Sequence, residues 1–519
     1  MKTLLTKSKI WSGGGYFPDT IGFDSMTGEV TFIGNESVVN IKEYDEVIDT
    51  NGKLILPAFY EGHCHLVKGS NVKKELNLRT ASTKNDFINI IGKYKSELKP
   101  GKWIQGGYFT ESEFTENFYV DRNLLDEICP DIPILIQRID IHSAIVNSKA
   151  IEIAGLELMV SKFGTDEIIL DENGNLTGEI KERAMFYAID RIPPLSISEI
   201  ASFVKEEIKY LHSLGIVSVT DITYPEDIEI YRYLQRNDNL NLRINSCLPF
   251  ENFYKFDELT KDFSDTRNIK FNSFKAYYDG SLSSESGYFF DNYKGKNHSG
   301  MKTEYVNSGL FEMTGIEIDK AGRQLVIHAI GDRAISEVLD FTEKLISVNG
   351  KRDRRLRIEH LQHINPKDYK RFKKLEIVMS VQPSHLYIDG KIAIEKLNNP
   401  EYTHNYKAAV ESGGKIIFGT DFPVANESPF ETIYYALTRE AKDIPEGFHG
   451  EFALDIKTCV SAYTENNAYA CFEENTAGKL KEGYLANIII LENDLFEIPP
   501  GEIKETKVNS TYLNGKRVY

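Results

Sequence analysis

The sequence predicts an α/β protein: a TIM (β/α)8 barrel with an inserted lid domain, plus a small β-sandwich domain built from both termini. Three observations predict it. The middle of the chain alternates short apolar runs with helical patterns, the mark of βα units and a parallel sheet. Eight such runs can be counted, the number this barrel requires. Histidine, lysine and aspartate fall at the C-terminal ends of those runs, the face on which such barrels place their active sites.

The elements are justified in chain order. The first ~55 residues read as β, with runs such as Glu29–Ile33 and Glu46–Asp49 lying between Gly, Asn and Asp turn signals. The last ~45 residues read alike, with Ala486–Leu491 and Ser510–Leu513 followed by Asn514-Gly515. Residues 1–56 and 470–519 are therefore expected to share one composite sheet domain, with the barrel over 57–469. The first barrel strand ends at His63. The others are Ile216–Asp221, Leu242–Ser246, Ser273–Tyr277, Leu325–His328, Leu356–His360, Ile377–Val381 and Ile416–Asp421. One stretch, at about 70–210, is far too long for a single βα connection. It carries a strand of its own at Ile132–Ile136 and is expected to be the lid.

Composition bounds the partners. With 41% apolar and 27% charged residues, the chain is an ordinary globular one. A net charge of −17 argues against nucleic acid or an anionic membrane, so a small-molecule substrate is expected. The basic run Lys351–Arg357 is read as a solvated turn leading into a strand. Five scattered cysteines make no disulfide framework. Met1–Lys9 lacks the apolar core of a signal peptide, and no run approaches the ~20 residues of a membrane span. A cytoplasmic protein is expected; the oligomeric state is left open, a homodimer among the options.

The chemistry begins at His63 and His65. On a strand, side chains at i and i+2 share a face about 6–7 Å apart, so the two rings can converge on one metal ion while Cys64 points away. His328 closes the fifth strand, His360 the sixth and Asp421 the eighth. Together they form a nitrogen- and oxygen-rich set suited to divalent metal. Lys275 on the fourth strand reads two ways. It either snorkels to solvent, or its amine is carboxylated by CO2 to an anionic carbamate able to bridge two ions.

These stretches resemble the amidohydrolase superfamily, in its amidohydrolase-3 (YtcJ-like) branch, which includes N-substituted formamide deformylases. The matching segments are Leu56–His65, Lys275–Leu282, His328–Ala334, Arg357–His360, Ser380–His385, Gly419–Pro423, Ala462–Asn466 and Gly478–Gly483, so the likeness covers essentially the whole chain. The resemblance implies two divalent ions, zinc by type, with His63, His65 and Asp421 on one and His328 and His360 on the other. Carboxylated Lys275 would bridge them. It further implies hydrolysis of a non-peptide C–N bond, amide or N-formyl, by a metal-bridging hydroxide. Asp421 would act as general base and then acid. His142, Gln382 and His385 are candidates for orienting the substrate.

A deaminase or a lactone hydrolase on the same scaffold is the alternative, with a non-catalytic relative behind both. Aromatics of the insertion, Trp103, Tyr108 and Phe109, admit an aromatic substrate group or plain core packing. Two departures from the family pattern stand out. Pro57-Ala58-Phe59-Tyr60-Glu61 replaces the usual Pro-Gly-Phe-Ile-Asp, and Gly280-Ser281-Leu282-Ser283-Ser284-Glu285 ends in glutamate where arginine is usual. The second reverses a charge beside the pocket.

Overall fold

The computed structural model describes residues 1–11, 18–140, 142–263 and 268–519. Eight parallel strands form the central sheet in unbroken chain order, β1 pairing β2 through to β8. They are β1 (Phe59–Cys64), β2 (Ile216–Ile222), β3 (Arg243–Pro249), β4 (Ile269–Tyr277), β5 (Gln324–Ala329), β6 (Arg357–His360), β7 (Val378–Val381) and β8 (Lys415–Phe418). Strands β1, β2, β6 and β7 are buried at every position, as expected when both faces of a sheet are covered. Helix Asp332–Asn349 shows how they are covered. It buries Ile335, Val338, Leu339, Thr342 and Leu345, an i, i+3, i+4, i+7 stripe along one face.

The sheet closes into a (β/α)8 barrel where β8 returns to β1. Asp421 N–H donates to the His63 carbonyl at 2.7 Å and His65 N–H to the Phe422 carbonyl at 2.8 Å. Glycine makes this seam possible. A Cβ on Gly62 would sit 2.4 Å from the Phe418 carbonyl oxygen, and one on Gly419 2.4 Å from His63 N. Glu61 stitches the seam from within, its Oε1 accepting from His63 N–H at 2.9 Å and Thr420 N–H at 2.8 Å. Asn467 reaches in from the last helix, with Nδ2 at 3.1 Å from the carbonyls of both Tyr60 and Phe418.

The chain ends build two further sheets. One has four strands, Glu29–Gly34, Thr20–Asp24, Lys2–Thr6 and Glu46–Asp49. The other has five and joins the termini: Leu54–Pro57 pairs antiparallel with Ile488–Leu491, which pairs with Val508–Leu513. Leu5, Ile21, Phe23 and Val30 from the first meet Ile10, Ile55, Ile488 and Ile490 from the second in one buried core.

The basic run is solvated only in its first half, Lys351–Asp353. Arg354, Arg355 and Arg357 are buried, and each is paired: Arg354 with Asp319 at 2.9 Å, Arg355 with Glu474 at 2.6 Å, Arg357 with Glu359 at 2.9 Å. Arg354 and Arg355 find acidic partners far along the chain, Asp319 and Glu474, which the local sequence could not show; Glu359, the partner of Arg357, lies two residues on.

By internal packing the chain divides into two units, Met1–Gly69 with Val204–Tyr519, and Ser70–Phe203. The second has its own six-stranded sheet, in which Ile134–Arg138 pairs Ile104–Phe109 in parallel and Ser143–Val146 antiparallel. The flagged aromatics serve its interior. Phe109 packs with Phe87, whose ring lies 5.6 Å away, and Trp103 lies in a core with Leu135, Ala144 and Ala184. Tyr108 donates to Glu75 at 2.6 Å. No helix among the described residues is long and apolar enough to cross a membrane.

Candidate metal centre

The strand ends bring His63, His65, Lys275, His328, His360 and Asp421 together. His63 Nε2 and His65 Nε2 both lie 3.3 Å from Asp421 Oδ1. The ring centroids run on from there: His63 to His360 is 5.2 Å, and His360 to His328 is 4.5 Å. Lys275 is buried at the end of β4, its Nζ 4.9 Å from the Tyr277 ring centre.

Backbone conformation aims two of these side chains. On a regular strand Glu359 and His360 would face opposite sides. His360 instead has φ of 72° and Asp421 of 59°, in the left-handed region that non-glycine residues seldom occupy. Such strain persists where surrounding structure overdetermines it, typically at functional sites. Here it ends β6 so that Glu359 and His360 serve the same centre.

Three of the four imidazoles have one nitrogen committed to a protein acceptor, whereas His65 Nδ1 is buried without a partner. His63 Nδ1 bonds Glu359, His360 Nδ1 lies 2.9 Å from Gln382 Oε1, and His328 Nε2 lies 3.2 Å from the Gly280 carbonyl. An acceptor at one ring nitrogen fixes the tautomer and leaves the other nitrogen's lone pair for a cation. Glu359 is itself held by Arg357 Nε at 2.9 Å and the Ser380 hydroxyl at 2.7 Å. Burial would raise its pKa, but Arg357 and His63 outweigh burial and hold the carboxyl far below the usual range. Burial drives two imidazoles the opposite way: it holds His360 well below its ordinary range and, with the Lys275 amine, pushes His328 down to about 3.

The residues fit divalent cations. Were His63 neutral with its proton toward Glu359, its Nε2 lone pair would face the Asp421 carboxylate, a repulsive contact unless a cation lies between them. Lys275 Nζ is buried without a hydrogen-bond partner, and burial pushes its pKa down against the pull of Glu359 and Asp421. An orphaned buried amine is costly, and carboxylation would convert it into an anionic ligand.

The other candidates are placed as follows. Gln382 stands behind His360, so its carbonyl orients a ring. His385 comes closer than expected: with His360 and Asp421 it forms a cluster whose candidate ligand atoms all lie within 4.8 Å of one another. His142 belongs to the second unit, where its exposed ring lies 3.3 Å from Glu182. Glu285 is compensated by Lys396, at the end of helix Leu386–Lys396, at 3.1 Å, with His298 of its own loop at 3.5 Å. Sequence reasoning missed Glu359 and Arg357 as positioning residues. Their i, i+2 spacing on a buried strand was the available signal, since two charges on one inward face must pair. It also missed Tyr224, which stacks on His65 with rings 6.3 Å apart, and whose hydroxyl lies 3.5 Å from that of Tyr277.

Comparison with known proteins decides the family. The model of the amidohydrolase family matches residues 46–519. The chain belongs to the amidohydrolase family. This amidohydrolase is 25% identical to the putative amidohydrolase YtcJ of Bacillus subtilis, over 98% of this chain and 99% of that one. It is 23% identical to the N-substituted formamide deformylase of Arthrobacter pascens, over 94% and 93%. Its fold matches that of an uncharacterized metal-dependent hydrolase from Pyrococcus horikoshii with a TM-score of 0.78 at 24% identity, covering 96% and 99% of the two chains. It is a hydrolase of the amidohydrolase-3, YtcJ-like branch.

Proposed function

We propose that this amidohydrolase cleaves an amide or N-formyl C–N bond of a small molecule, using two zinc ions. The observation that carries the reading is the convergence of His63 and His65 Nε2 on one Asp421 oxygen, with the unpartnered Lys275 amine nearby. The similarity to an N-substituted formamide deformylase supports the choice of bond. His63, His65 and Asp421 would hold one ion, His328 and His360 the other, and carboxylated Lys275 both. Mixed imidazole and carboxylate donors suit zinc. Such ions polarise a substrate carbonyl and make water acidic enough to ionise near neutral pH.

The chain's own residues do the rest. Asp421 accepts the proton of the attacking water and delivers it to the leaving nitrogen, acting first as base and then as acid. Gln382 keeps His360 in one tautomer. Tyr224 and Tyr277 give the rim an aromatic wall for a planar N-substituent.

The test is a panel of N-substituted formamides, N-acyl amines, cyclic imides and lactones, assayed with chelated and zinc-reloaded enzyme. Zinc-dependent release of amine from the formamides or amides is expected. Turnover of lactones alone would replace this reading with C–O hydrolysis, and metal-independent turnover would end it.

A further inference from the structure

Asp421 is shared by two clusters of candidate ligands. One is His63 with His65; the other is His360 with His385, a residue that the two-ion assignment leaves out. His385 ends the short 3-10 turn Pro383–His385 that follows β7 and leads into helix Leu386–Lys396. Its Nε2 lies 3.2 Å from the Thr420 carbonyl, which must receive a proton from it, so Nδ1 carries the free lone pair. His360 likewise keeps Nε2 free, because Nδ1 is committed to Gln382. On the carboxylate, Oδ1 faces His63 and His65, which leaves Oδ2 for a second cation.

His360 therefore has a single lone pair and two sets of neighbours. On one side stand His328, with its ring 4.5 Å away, and Lys275; on the other stand His385, 6.4 Å away by ring centres, and Asp421. One nitrogen cannot ligate two ions at once, so the two positions exclude each other. They also differ in charge. The side of His385 has the Asp421 carboxylate built in. The side of His328 offers a neutral imidazole and a lysine, and becomes anionic only when the lysine does.

We propose that His360, His385 and Asp421 form an alternative station for the second ion, occupied while Lys275 is unmodified and vacated toward His328 once Lys275 is carboxylated. The inference rests on the metal-centre reading above. The modification balances as Lys275–NH2 plus CO2 giving Lys275–NH–COO⁻ and a proton released to solvent: a C–N bond forms and nothing is oxidised or reduced. The His385 station carries its anion, the Asp421 carboxylate, from the start, so it can capture an ion before the bridge exists.

The experiment is a zinc titration of stripped full-length protein against a chromophoric chelator, in CO2-free and in bicarbonate-containing buffer, with far-UV circular dichroism as the folding control. Wild type is expected to take up two ions in both buffers. His385→Ala and His385→Gln are expected to bind the second ion at least tenfold more weakly without CO2, and to recover it with bicarbonate. Lys275→Ala should keep two ions in either buffer, and lose the second when combined with His385→Ala. A second ion unchanged in both His385 variants without CO2, or missing from folded Lys275→Ala, overturns the alternative station. Wild type binding no zinc at all would overturn the metal centre itself, a different result from either.

Discussion

Glu359 is engaged at both oxygens: Arg357 holds one, and Ser380 and His63 share the other. Glu359→Gln keeps the shape and removes the charge that fixes His63 with its proton on Nδ1. Loss of such an outer partner typically costs 10–100-fold in metal affinity, so about that weakening of the first zinc is expected by chelator competition, in a protein with unaltered circular dichroism. Unchanged affinity would reduce Glu359 to a packing role. Asp421→Asn keeps the fold but removes the base, and loss of turnover by roughly the 10²–10⁴-fold of a general acid–base group is expected, or more where zinc is lost with it. Near-normal turnover would remove Asp421 from the chemistry. At this scale the sequence showed the metal-ligand candidates well, because that role admits few residue types and strand ends mark the place. It concealed Gln382 and Glu359, whose partners are set by which ring they stand behind, and it concealed the left-handed turn at His360 that brings neighbours on a strand to one centre.

Among the elements, the closing seam is the most exacting. Gly419→Ala would drive a methyl group to 2.4 Å from His63 N, within the backbone of a ligand-bearing strand. Overpacking of this kind commonly costs about 1–3 kcal/mol, and a lowered Tm together with weakened zinc binding is expected. A Tm equal to wild type would show that the seam yields. Elsewhere in the barrel, buried Glu473 ties three strands, accepting from Tyr60 of β1 at 3.1 Å and Arg243 of β3 at 2.7 Å, and pairing Lys270 of β4. Burial opposes its charge, but Arg243 and Lys270 lower its pKa below the ordinary 4.5. A depressed carboxyl binds fewer protons in the folded state, so its stabilisation is present above pH ~4.5 and is lost as pH falls through the folded pKa. Glu473→Gln should therefore lower the Tm most at pH 7, with the gap to wild type shrinking below pH ~4.5; a gap independent of pH would contradict the pairing. Most of the barrel strands were legible as apolar runs because burial on both faces favours apolar residues; β6, Arg357–His360, is fully buried yet mostly polar, its Arg357 and Glu359 paired with each other. The arginine run before β6 misled for the converse reason, its burial depending on Asp319 and Glu474 far away in the chain.

For the whole molecule, one barrel and a two-sheet domain drawn from both termini were readable from where β-rich and βα patterns change over. The insertion was readable only as an excess of length. Of its six strands one stood out, since short strands paired within a mixed sheet carry little pattern of their own. Its aromatics proved to be core, the ordinary fate of large apolar side chains. Binding of zinc to the folded state alone should stabilise the protein by about 2.7 kcal/mol per site at a hundredfold excess over Kd, so chelation should lower the Tm and zinc restore it, with calcium ineffective. An unmoved Tm would argue against a buried centre. The most direct test of the central claim is elemental analysis of the reconstituted, desalted protein. The geometry of His63, His65, Lys275, His328, His360 and Asp421 predicts two zinc ions per chain; a protein carrying none would contradict it.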